Sequence, residues 1–434
     1  MKNYLLSRRA FMKKTGLVTI FGTFLPPLIS FSYSKNSVGN NQQSIVVSTD
    51  FISGGGDDIS IVNYDPVTIR YKPHNEGGGG WGQVWWYFRV DGLTPGKEIV
   101  LQLDRDEPRS SGISPQIFFS YDQEVWGLTD TGRPAVIDGR DFFIYEHIVR
   151  GSRVWFAYDL PYTPEHIDKF LIPEVNKDPN VEVVEHCKTK NNRSVKAFIF
   201  NDKHTVSDRK YGIWLQARAH AFESGASWVL HEFARWLLSG DPTAKTLRNC
   251  AQIIVIPIVD VDGVVEGRTG KNQIPYDHNR GWNEEPSHWP ETRASKSLLT
   301  RMAKQNILDM YIDFHGPGNL SHPYFIVPFE NLLPYEKQRL NRAKFFEVLN
   351  SSPLDELARQ SQSMTKINYS ERPWDHTINS SREWVTMKTT DHNIAMTIEV
   401  NMNTPLSTQA GFRAEAIELG RAISNYFSND YHIR

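Results

Sequence analysis

The second half of the chain alternates two kinds of hydrophobic pattern. Short, nearly continuous apolar runs predict buried strands. These runs lie at residues 213–217, 253–258, 310–314, 324–327 and 395–400. Elsewhere apolar residues recur every three or four positions, which predicts amphipathic helices over residues 225–238 and 410–427. Strands that alternate with helices indicate a three-layer α/β domain, which we place at residues 166–434.

The first half has no long helical period and consists of short strand-like runs rich in aromatic residues. Turn-forming breaks such as Asp-Gly and Pro-Gly separate these runs, a pattern that is typical of β-sandwiches. The runs lie at residues 45–48, 84–90, 99–103, 117–121 and 154–158. We therefore predict an all-β sandwich domain over residues 41–165. Its tryptophans suit core packing better than sugar binding, and we assign no chemistry to this domain.

Residues 1–34 carry the features of an export signal. They hold five basic and no acidic residues, and Pro26 and Pro27 interrupt their apolar run at about residues 17–29. That run is shorter than the ~20 apolar residues that a transmembrane helix needs. Residues 7–13, Ser-Arg-Arg-Ala-Phe-Met-Lys, resemble the twin-arginine motif, which addresses folded proteins for export across a bacterial inner membrane. We expect a periplasmic or extracellular protein with no stable membrane span after signal removal; an uncleaved anchor is the alternative.

Charge and cysteine content argue against several classes of protein. Without residues 1–34 the chain has 43 basic and 50 acidic residues, a formal net charge of about −7, so nucleic acid is not an expected partner. Cys187 and Cys250 are the only cysteines, which argues against a thiolate metal site and a disulfide-stapled scaffold. A single disulfide bond between these two cysteines is an alternative that the sequence does not decide.

The junction between the first predicted strand and helix of the α/β domain holds the first site residues. The strand ends at Ala217 and the helical pattern begins near Gly225, which places His220 in the turn and Glu223 in the first helical turn. Imidazole nitrogen and carboxylate oxygen are both ordinary zinc ligands. His-x-x-Glu alone is weak evidence for a metal site, because it occurs by chance in many proteins. A zinc site here also requires a third protein ligand from elsewhere in the chain.

Later strand ends in the same domain also carry polar residues, and ligand sites gather at strand ends in such sheets. The loop after the second strand leads to Asn279 and Arg280, which suit a carboxylate, although a solvated loop explains them as well. The third strand leads to His315, which precedes a glycine and has room to be a third zinc ligand; a structural histidine is the alternative. Glu399 lies inside the last apolar run, where an unpaired charge is costly, so it needs a partner or a function.

Together these residues resemble, in order and approximate spacing, the zinc carboxypeptidases of the M14 type. The set consists of His220, Glu223, Asn279, Arg280, His315 and Glu399. Aromatic runs at residues 85–90, 119–121 and 156–163 are similar to the N-terminal domain of the cytosolic-carboxypeptidase-like branch. The resemblance covers about residues 45–430. It implies a three-layer catalytic domain with a mixed sheet, preceded by an all-β sandwich.

The resemblance implies a zinc site and its supporting residue. His220, Glu223 and His315 would hold one zinc ion per chain. Asp277 would orient a ligand imidazole from behind, since such partners fix the tautomer and the angle of the ring.

The resemblance also implies the groups that act on substrate. Asn279 and Arg280 would bind the free C-terminal carboxylate of a peptide, and Glu399 would be the general base. One family position departs from the pattern, because the arginine that polarises the scissile carbonyl falls on a glycine by gap-free counting. Arg268 is the nearest cation and our first choice for this role, and Lys271 is the second.

The sequence therefore predicts an exported metallocarboxypeptidase that hydrolyses C-terminal residues from peptides. The same chemistry on peptidoglycan stem peptides is a second hypothesis, favoured only by the expected location. A non-catalytic binding protein with a vestigial site is the third, and the complete set of ligands and the intact Glu399 argue against it. The preferred C-terminal residue is not predicted.

Overall fold

The computed structural model describes residues 44–77, 82–105, 112–202, 211–317, 323–328, 330, 333–351 and 379–434. The predicted export signal at residues 1–34 lies outside these ranges. No helix within them combines the length and the apolar character that crossing a membrane requires. Cys187 and Cys250 are both free thiols, so the bridge that the sequence left open does not form between them.

Short strands build the N-terminal region as two five-stranded sheets. They are β1 (Val46–Ser48), β2 (Asp57–Tyr64), β3 (Val67–Lys72), β4 (Tyr87–Asp91), β5 (Glu98–Asp104), β6 (Phe118–Ser120), β7 (Trp126–Leu128), β8 (Arg133–Ile137), β9 (Arg140–Ile148) and β10 (Arg153–Ala157). One sheet has the order β1-β4-β10-β6-β7 and the other β2-β3-β5-β9-β8. Along β5, buried side chains alternate with more exposed ones, as in a sheet with one face in a core.

Aromatic side chains fill the space between these two sheets. The Tyr71 ring of β3 lies 5.0 Å from the Phe88 ring of β4, and the Phe119 ring of β6 lies 4.2 Å from the His147 ring of β9. The predicted all-β sandwich is confirmed. Each predicted strand-like run contains a strand, whereas β2, β3, β7, β8 and β9 are not anticipated, because polar residues interrupt their apolar runs.

A seven-stranded mixed sheet forms the centre of the second region. Its strands are β11 (Val181–Lys188), β12 (Ser194–Phe200), β13 (Tyr211–Ala217), β14 (Ala251–Ile256), β15 (Met310–His315), β16 (Tyr324–Ile326) and β17 (Ile394–Glu399). They lie in the order β11-β12-β14-β13-β15-β17-β16. The four strands β14, β13, β15 and β17 are parallel, and β13, β14 and β15 are buried along their whole length. Such continuous burial is typical of parallel strands that are covered on both faces.

Helices surround this sheet. Those that we label are α1 (Ser224–Leu238), α2 (Pro242–Cys250), α3 (Val261–Val265), α4 (Pro290–Lys304), α5 (Glu336–Ser351), α6 (Ser381–Lys388) and α7 (Gln409–Ser428). Helix α7 contacts α1, α2 and α5. At Gly420 of α7, an added Cβ atom would approach the Trp236 ring of α1 to 2.4 Å, so the close packing of these helices requires glycine. The predicted strands and helices of this region are confirmed to within two residues, whereas the β11–β12 hairpin is not anticipated.

The parallel strands bring distant chain segments to two common edges of the sheet. At the carboxyl edge, β13 leads to His220, β15 ends at His315 and β17 ends at Glu399; the last two are direct partners in the strand register. At the amino edge, Asp309 directly precedes β15, and His392 precedes β17 by two residues. A six-residue strand separates these edges by about 20 Å.

Candidate active site

Two imidazoles and one carboxylate converge at the carboxyl ends of the strands. We call His220, Glu223 and His315 the carboxyl-end cluster. His220 Nδ1 lies 2.9 Å from Glu223 Oε1, and His315 Nδ1 lies 3.0 Å from Glu223 Oε2. The two Nδ1 atoms are 3.1 Å apart, and all three side chains are buried. The sequence pattern predicts Glu223 in the first turn of α1. In the structure Glu223 immediately precedes α1.

These donor atoms fit a divalent cation such as zinc. Ligand atoms about 2.1 Å from a tetrahedral zinc lie roughly 3.4 Å apart, close to the spacings here. The lone pairs of two imidazole nitrogens facing each other at 3.1 Å repel unless a proton or a cation lies between them. Burial alone would raise the pKa of Glu223, but the imidazoles of His220 and His315 hold this pKa well below its usual range. The carboxylate is therefore ionised and able to bind a cation.

An aspartate stands behind each imidazole of the cluster. His220 Nε2 lies 3.4 Å from Asp277 Oδ1, and His315 Nε2 lies 3.1 Å from Asp313 Oδ2. A carboxylate in this place fixes the tautomer of the ring and leaves the other nitrogen to coordinate a metal. Asp277, to which the family resemblance assigns the orienting of a ligand imidazole, lies behind His220. Asp313 was not assigned, although its position two residues before His315 puts both side chains on one face of β15.

The turn that carries His220 depends on a buried arginine that sequence reasoning missed. Arg218 adopts a left-handed backbone conformation with φ of 65°, which is unusual for a residue with a side chain. Its guanidinium donates to the carbonyls of Ala221 at 2.8 Å and Tyr162 at 3.2 Å. These hydrogen bonds hold the chain between β13 and α1, and thereby the direction in which His220 points.

Glu399 provides a carboxylate beside the cluster. Its Oε2 atom is buried and has no hydrogen-bond partner among the described residues. Burial raises the pKa of Glu399; the imidazole of His315 opposes this rise and the carboxylate of Glu223 adds to it. A carboxylate whose pKa is raised towards the working pH is suited to taking up and returning a proton.

Asn279 and Arg280 lie on a loop that adjoins the cluster. Asn279 Nδ2 is 3.4 Å from His315 Nε2, and its Oδ1 accepts a hydrogen bond from Ser381 N at 3.1 Å. Arg280 Nη1 donates to the carbonyl of Asn279 at 2.9 Å, and Arg280 N donates to the carbonyl of Asp277 at 3.1 Å. The structure thus brings the predicted carboxylate-binding pair and the predicted metal ligands into one site.

The two candidates for the carbonyl-polarising cation lie in different surroundings. Arg268 is 42% exposed and its Nη2 pairs with Glu266 Oε2 at 2.8 Å, whereas Lys271 Nζ is 3.9 Å from Glu223 Oε1. Between them, Gly270 has φ of 81°, and an added Cβ atom would approach Ala221 N to 2.4 Å. No side chain fits at the position that gap-free counting indicates. The geometry favours our second choice, Lys271, over Arg268, because Lys271 is the cation beside the cluster.

The N-terminal region holds the loop that carries Lys271. The backbone N–H groups on either side of this lysine, at Gly270 and Asn272, both donate to the Glu76 carboxylate at 2.8 Å. The Thr269 hydroxyl accepts a further backbone hydrogen bond from the N-terminal region at 3.0 Å. The β-sandwich therefore supports one wall of the site.

A protein-family model matches the region that contains the predicted site residues. The family Peptidase M14, described as zinc carboxypeptidase, matches residues 168–427, which is more than half of the chain. The chain belongs to the M14 zinc carboxypeptidases. The M14 match contains every predicted site residue, whereas Glu76 and the sandwich that carries it lie outside it.

Several proteins named cytosolic carboxypeptidases resemble this M14 chain. Cytosolic carboxypeptidase 6 of Caenorhabditis elegans is 27% identical over 312 residues, which is 63% of this chain and 63% of that protein. Human cytosolic carboxypeptidase 1 is 34% identical over 273 residues, which is 54% of this chain but 22% of that protein. The chain therefore spans less than two thirds of the length of these relatives.

Solved structures of bacterial metallo-carboxypeptidases share the fold over nearly the whole M14 chain. The structure from Burkholderia cenocepacia has a TM-score of 0.70 at 21% identity, and it covers 89% of this chain and 99% of its own. A structure from Pseudomonas aeruginosa, in complex with (2-guanidinoethylmercapto)succinic acid, has a TM-score of 0.67 at 20% identity and covers 88% of this chain and 98% of its own. The likeness at this identity concerns the fold, including the N-terminal β region.

Proposed function

We propose that this M14 protein is an exported zinc-dependent metallocarboxypeptidase that removes C-terminal residues from peptides. The observation that carries the proposal is the convergence of three features on one edge of the sheet. They are the carboxyl-end cluster, the Asn279–Arg280 pair, and the Glu399 carboxylate, one oxygen of which has no hydrogen-bond partner in the described part of the chain. A non-catalytic binding protein with a vestigial site would need neither the complete set of metal ligands nor the base.

The proposed mechanism assigns one task to each group. His220, Glu223 and His315 would hold one zinc ion, which would supply Lewis-acid activation of water and of a carbonyl oxygen. Glu399 takes a proton from the attacking water and returns it to the leaving amine, which its raised pKa favours. Cleavage of the C–N bond thus yields a free amine and a new carboxylate.

Side chains on the loops beside the cluster position the substrate in this mechanism. Arg280 offers a planar guanidinium and Asn279 an amide, a combination that recognises the terminal carboxylate of a peptide chain. The Lys271 ammonium, 3.9 Å from the Glu223 carboxylate, stabilises negative charge that develops on the scissile carbonyl oxygen. The enzyme therefore acts at chain ends that carry a free carboxylate.

Peptide hydrolysis provides the test of this function. The zinc-loaded full chain is incubated with a library of peptides that have free C-terminal carboxylates, with the same peptides as C-terminal amides, and with peptidoglycan stem peptides. The proposal expects stepwise loss of single C-terminal residues from the free acids, inhibition by a chelator and recovery with zinc. Cleavage confined to stem peptides would support the second hypothesis, and no cleavage of any peptide would support the binding protein.

Export is a separate part of the proposal and rests on residues 7–13. A twin-arginine receptor reads the guanidinium pair rather than charge alone, so replacement of Arg8 and Arg9 by lysine should retain the protein in the cytoplasm. Fractionation of cells that express both forms measures this. Equal periplasmic recovery of both forms would contradict the route.

A further inference from the structure

A second group of two imidazoles and one carboxylate lies at the opposite edge of the sheet. We call Asp309, His392 and His432 the amino-end cluster. His432 Nε2 is 3.1 Å and His392 Nε2 is 3.4 Å from Asp309 Oδ1, and the three donor atoms all lie within 4.8 Å of one another. The side chains are at most 1% exposed. Three separate segments meet here: the start of β15, the loop before β17 and the tail after α7.

The outer nitrogen of each ring in this cluster already has a partner. His392 Nδ1 lies 2.9 Å from Asp391 Oδ1, and His432 Nδ1 lies 3.0 Å from the Tyr426 hydroxyl. An ionised carboxylate only accepts hydrogen bonds, so His392 Nδ1 carries a proton, and in the neutral ring Nε2 carries the lone pair. This lone pair faces the Asp309 carboxylate, which is a second acceptor. Two acceptors at this distance need a proton or a cation between them.

Among the described residues, the inner nitrogens make no hydrogen bond of good geometry. His392 Nε2 and His432 Nε2 are both buried and face Asp309 Oδ1 at 3.4 and 3.1 Å, but neither contact has the geometry of a good hydrogen bond. Buried polar atoms without a partner are rare, because they lose their bonds to water and gain none in return. One cation held by both nitrogens and by the carboxylate would satisfy all three groups.

We propose that Asp309, His392 and His432 bind a second divalent cation of the zinc class, which fastens the C-terminal tail to the amino end of the sheet. Imidazole and carboxylate ligands together favour zinc, cobalt(II) or nickel(II) over magnesium and calcium. Asp391 and Tyr426 stand behind the two rings, as the aspartates do in the carboxyl-end cluster. The protein then holds two metal ions, where the sequence predicts one.

Arg434 limits the strength of this site. Its Nε donates to Asp309 Oδ1 at 2.7 Å and its Nη2 donates to Oδ2 at 2.6 Å, while Gly212 N donates to Oδ2 at 2.7 Å. A carboxylate offers about four lone-pair positions, and these three contacts leave one of them on Oδ1. The charge of Arg434 nevertheless opposes a neighbouring cation. We therefore expect weaker binding than at the carboxyl-end cluster, and stronger binding after Arg434→Gln.

The competing arrangement contains no metal. In it, His392 is an imidazolium that donates to both Asp391 and Asp309, and the cluster is a hydrogen-bonded latch for the tail. Metal binding by the amino-end cluster, in a full chain that lacks the carboxyl-end histidines, distinguishes the two arrangements.

The experiment removes the other cluster and leaves this one intact. The full chain with His220→Ala and His315→Ala is incubated with zinc or cobalt(II), desalted and analysed for metal. The proposal expects about one zinc per chain, and with cobalt a visible absorption band of an ion bound by nitrogen and oxygen. Addition of Asp309→Asn, which preserves the shape of the side chain, should abolish both.

Thermal unfolding and a fourth substitution complete the test. Zinc should raise the Tm of the His220→Ala, His315→Ala protein, and this rise should disappear with Asp309→Asn. Arg434→Gln in the same background should tighten zinc binding by at least about tenfold, because it removes a neighbouring positive charge. The proposal would be overturned if the His220→Ala, His315→Ala protein, with and without Arg434→Gln, bound fewer than about 0.2 zinc ions per chain and showed no cobalt band. The metal-free latch would then be the correct arrangement.

Discussion

Metal-competent groups of the same kind lie at both ends of the parallel strands. The carboxyl-end cluster and the amino-end cluster each consist of two buried histidines and one carboxylate with donor spacings near 3 Å. Their surroundings differ. Glu399, one oxygen of which has no hydrogen-bond partner among the residues that the structure describes, adjoins the first, whereas the guanidinium of Arg434 binds the carboxylate of the second. In the proposed function, the ligands alone do not define a catalytic centre; the proposed base and the proposed substrate-binding loop beside them do.

The groups behind the histidine rings differ as well. Asp277 and Asp313 stand behind the carboxyl-end rings and are nearly buried, whereas Asp391, behind one amino-end ring, is 44% exposed. A buried carboxylate polarises an imidazole more strongly than an exposed one, because water screens the exposed charge. The carboxyl-end cluster should therefore bind its metal more tightly.

Loss of the two histidines should lower activity far more at the carboxyl-end cluster than at the amino-end cluster. His220→Ala with His315→Ala should lower peptide hydrolysis by at least about 10⁴-fold, because the catalytic metal is lost. The matched control, His392→Ala with His432→Ala, should stay within about threefold of the wild type per folded molecule, because it alters the opposite edge. Assays at equal concentrations of folded protein measure both. Similar losses of peptide hydrolysis in the two double variants would contradict the assignment of catalysis to the carboxyl edge alone.

The next largest effect concerns the cation beside the carboxyl-end cluster. Lys271→Ala should lower kcat by about 10²- to 10³-fold, as the loss of one oxyanion-stabilising group does in other hydrolases. Arg268→Ala is the matched control and should change kcat by less than about threefold, because this guanidinium pairs with Glu266. The opposite ranking in steady-state kinetics would restore Arg268 as the polarising residue.

A third prediction concerns recognition of the chain end. Arg280→Ala should lower kcat/KM by about 10²-fold for peptides with a free carboxylate, the cost of a lost charged hydrogen-bond pair. Peptides with a C-terminal amide should be cleaved slowly and equally by both forms. If the variant loses the same factor on amides, Arg280 acts on the structure of the loop rather than on the carboxylate.

The smallest effect compares the supporting aspartates. Asp313→Asn should weaken zinc binding at the carboxyl-end cluster by about 10- to 100-fold, the usual cost of losing the group behind a ligand imidazole. Asp391→Asn should weaken binding at the amino-end cluster by a smaller factor, because Asp391 is exposed. Competition with a chromophoric chelator measures both, and equal factors would show that burial does not set the difference.

Sequence patterns predicted one of the clusters and not the other, for a physical reason. His220 and Glu223 mark a strand-to-helix junction, and His315 and Glu399 are polar groups at the ends of apolar runs. Asp309, His392 and His432 lie on separate segments without a local pattern, and only the strand register and the course of the tail bring them together.

The supporting contacts were also beyond pattern reasoning. Glu76 binds a loop almost 200 residues later in the chain, and the left-handed conformation of Arg218 has no local sequence cue. The core strands, in contrast, follow from hydrophobic runs, because burial on both faces leaves no polar positions to obscure them.

The turnover of Glu399→Gln at equal zinc content tests directly whether the carboxyl edge is a catalytic centre. The substitution removes the proton acceptor and keeps the shape of the side chain, so turnover should fall by about 10²- to 10⁴-fold. Zinc content and Tm should stay those of the wild type. Wild-type turnover per folded molecule, or a loss explained entirely by lower stability, would contradict the role of the carboxyl edge as a catalytic centre.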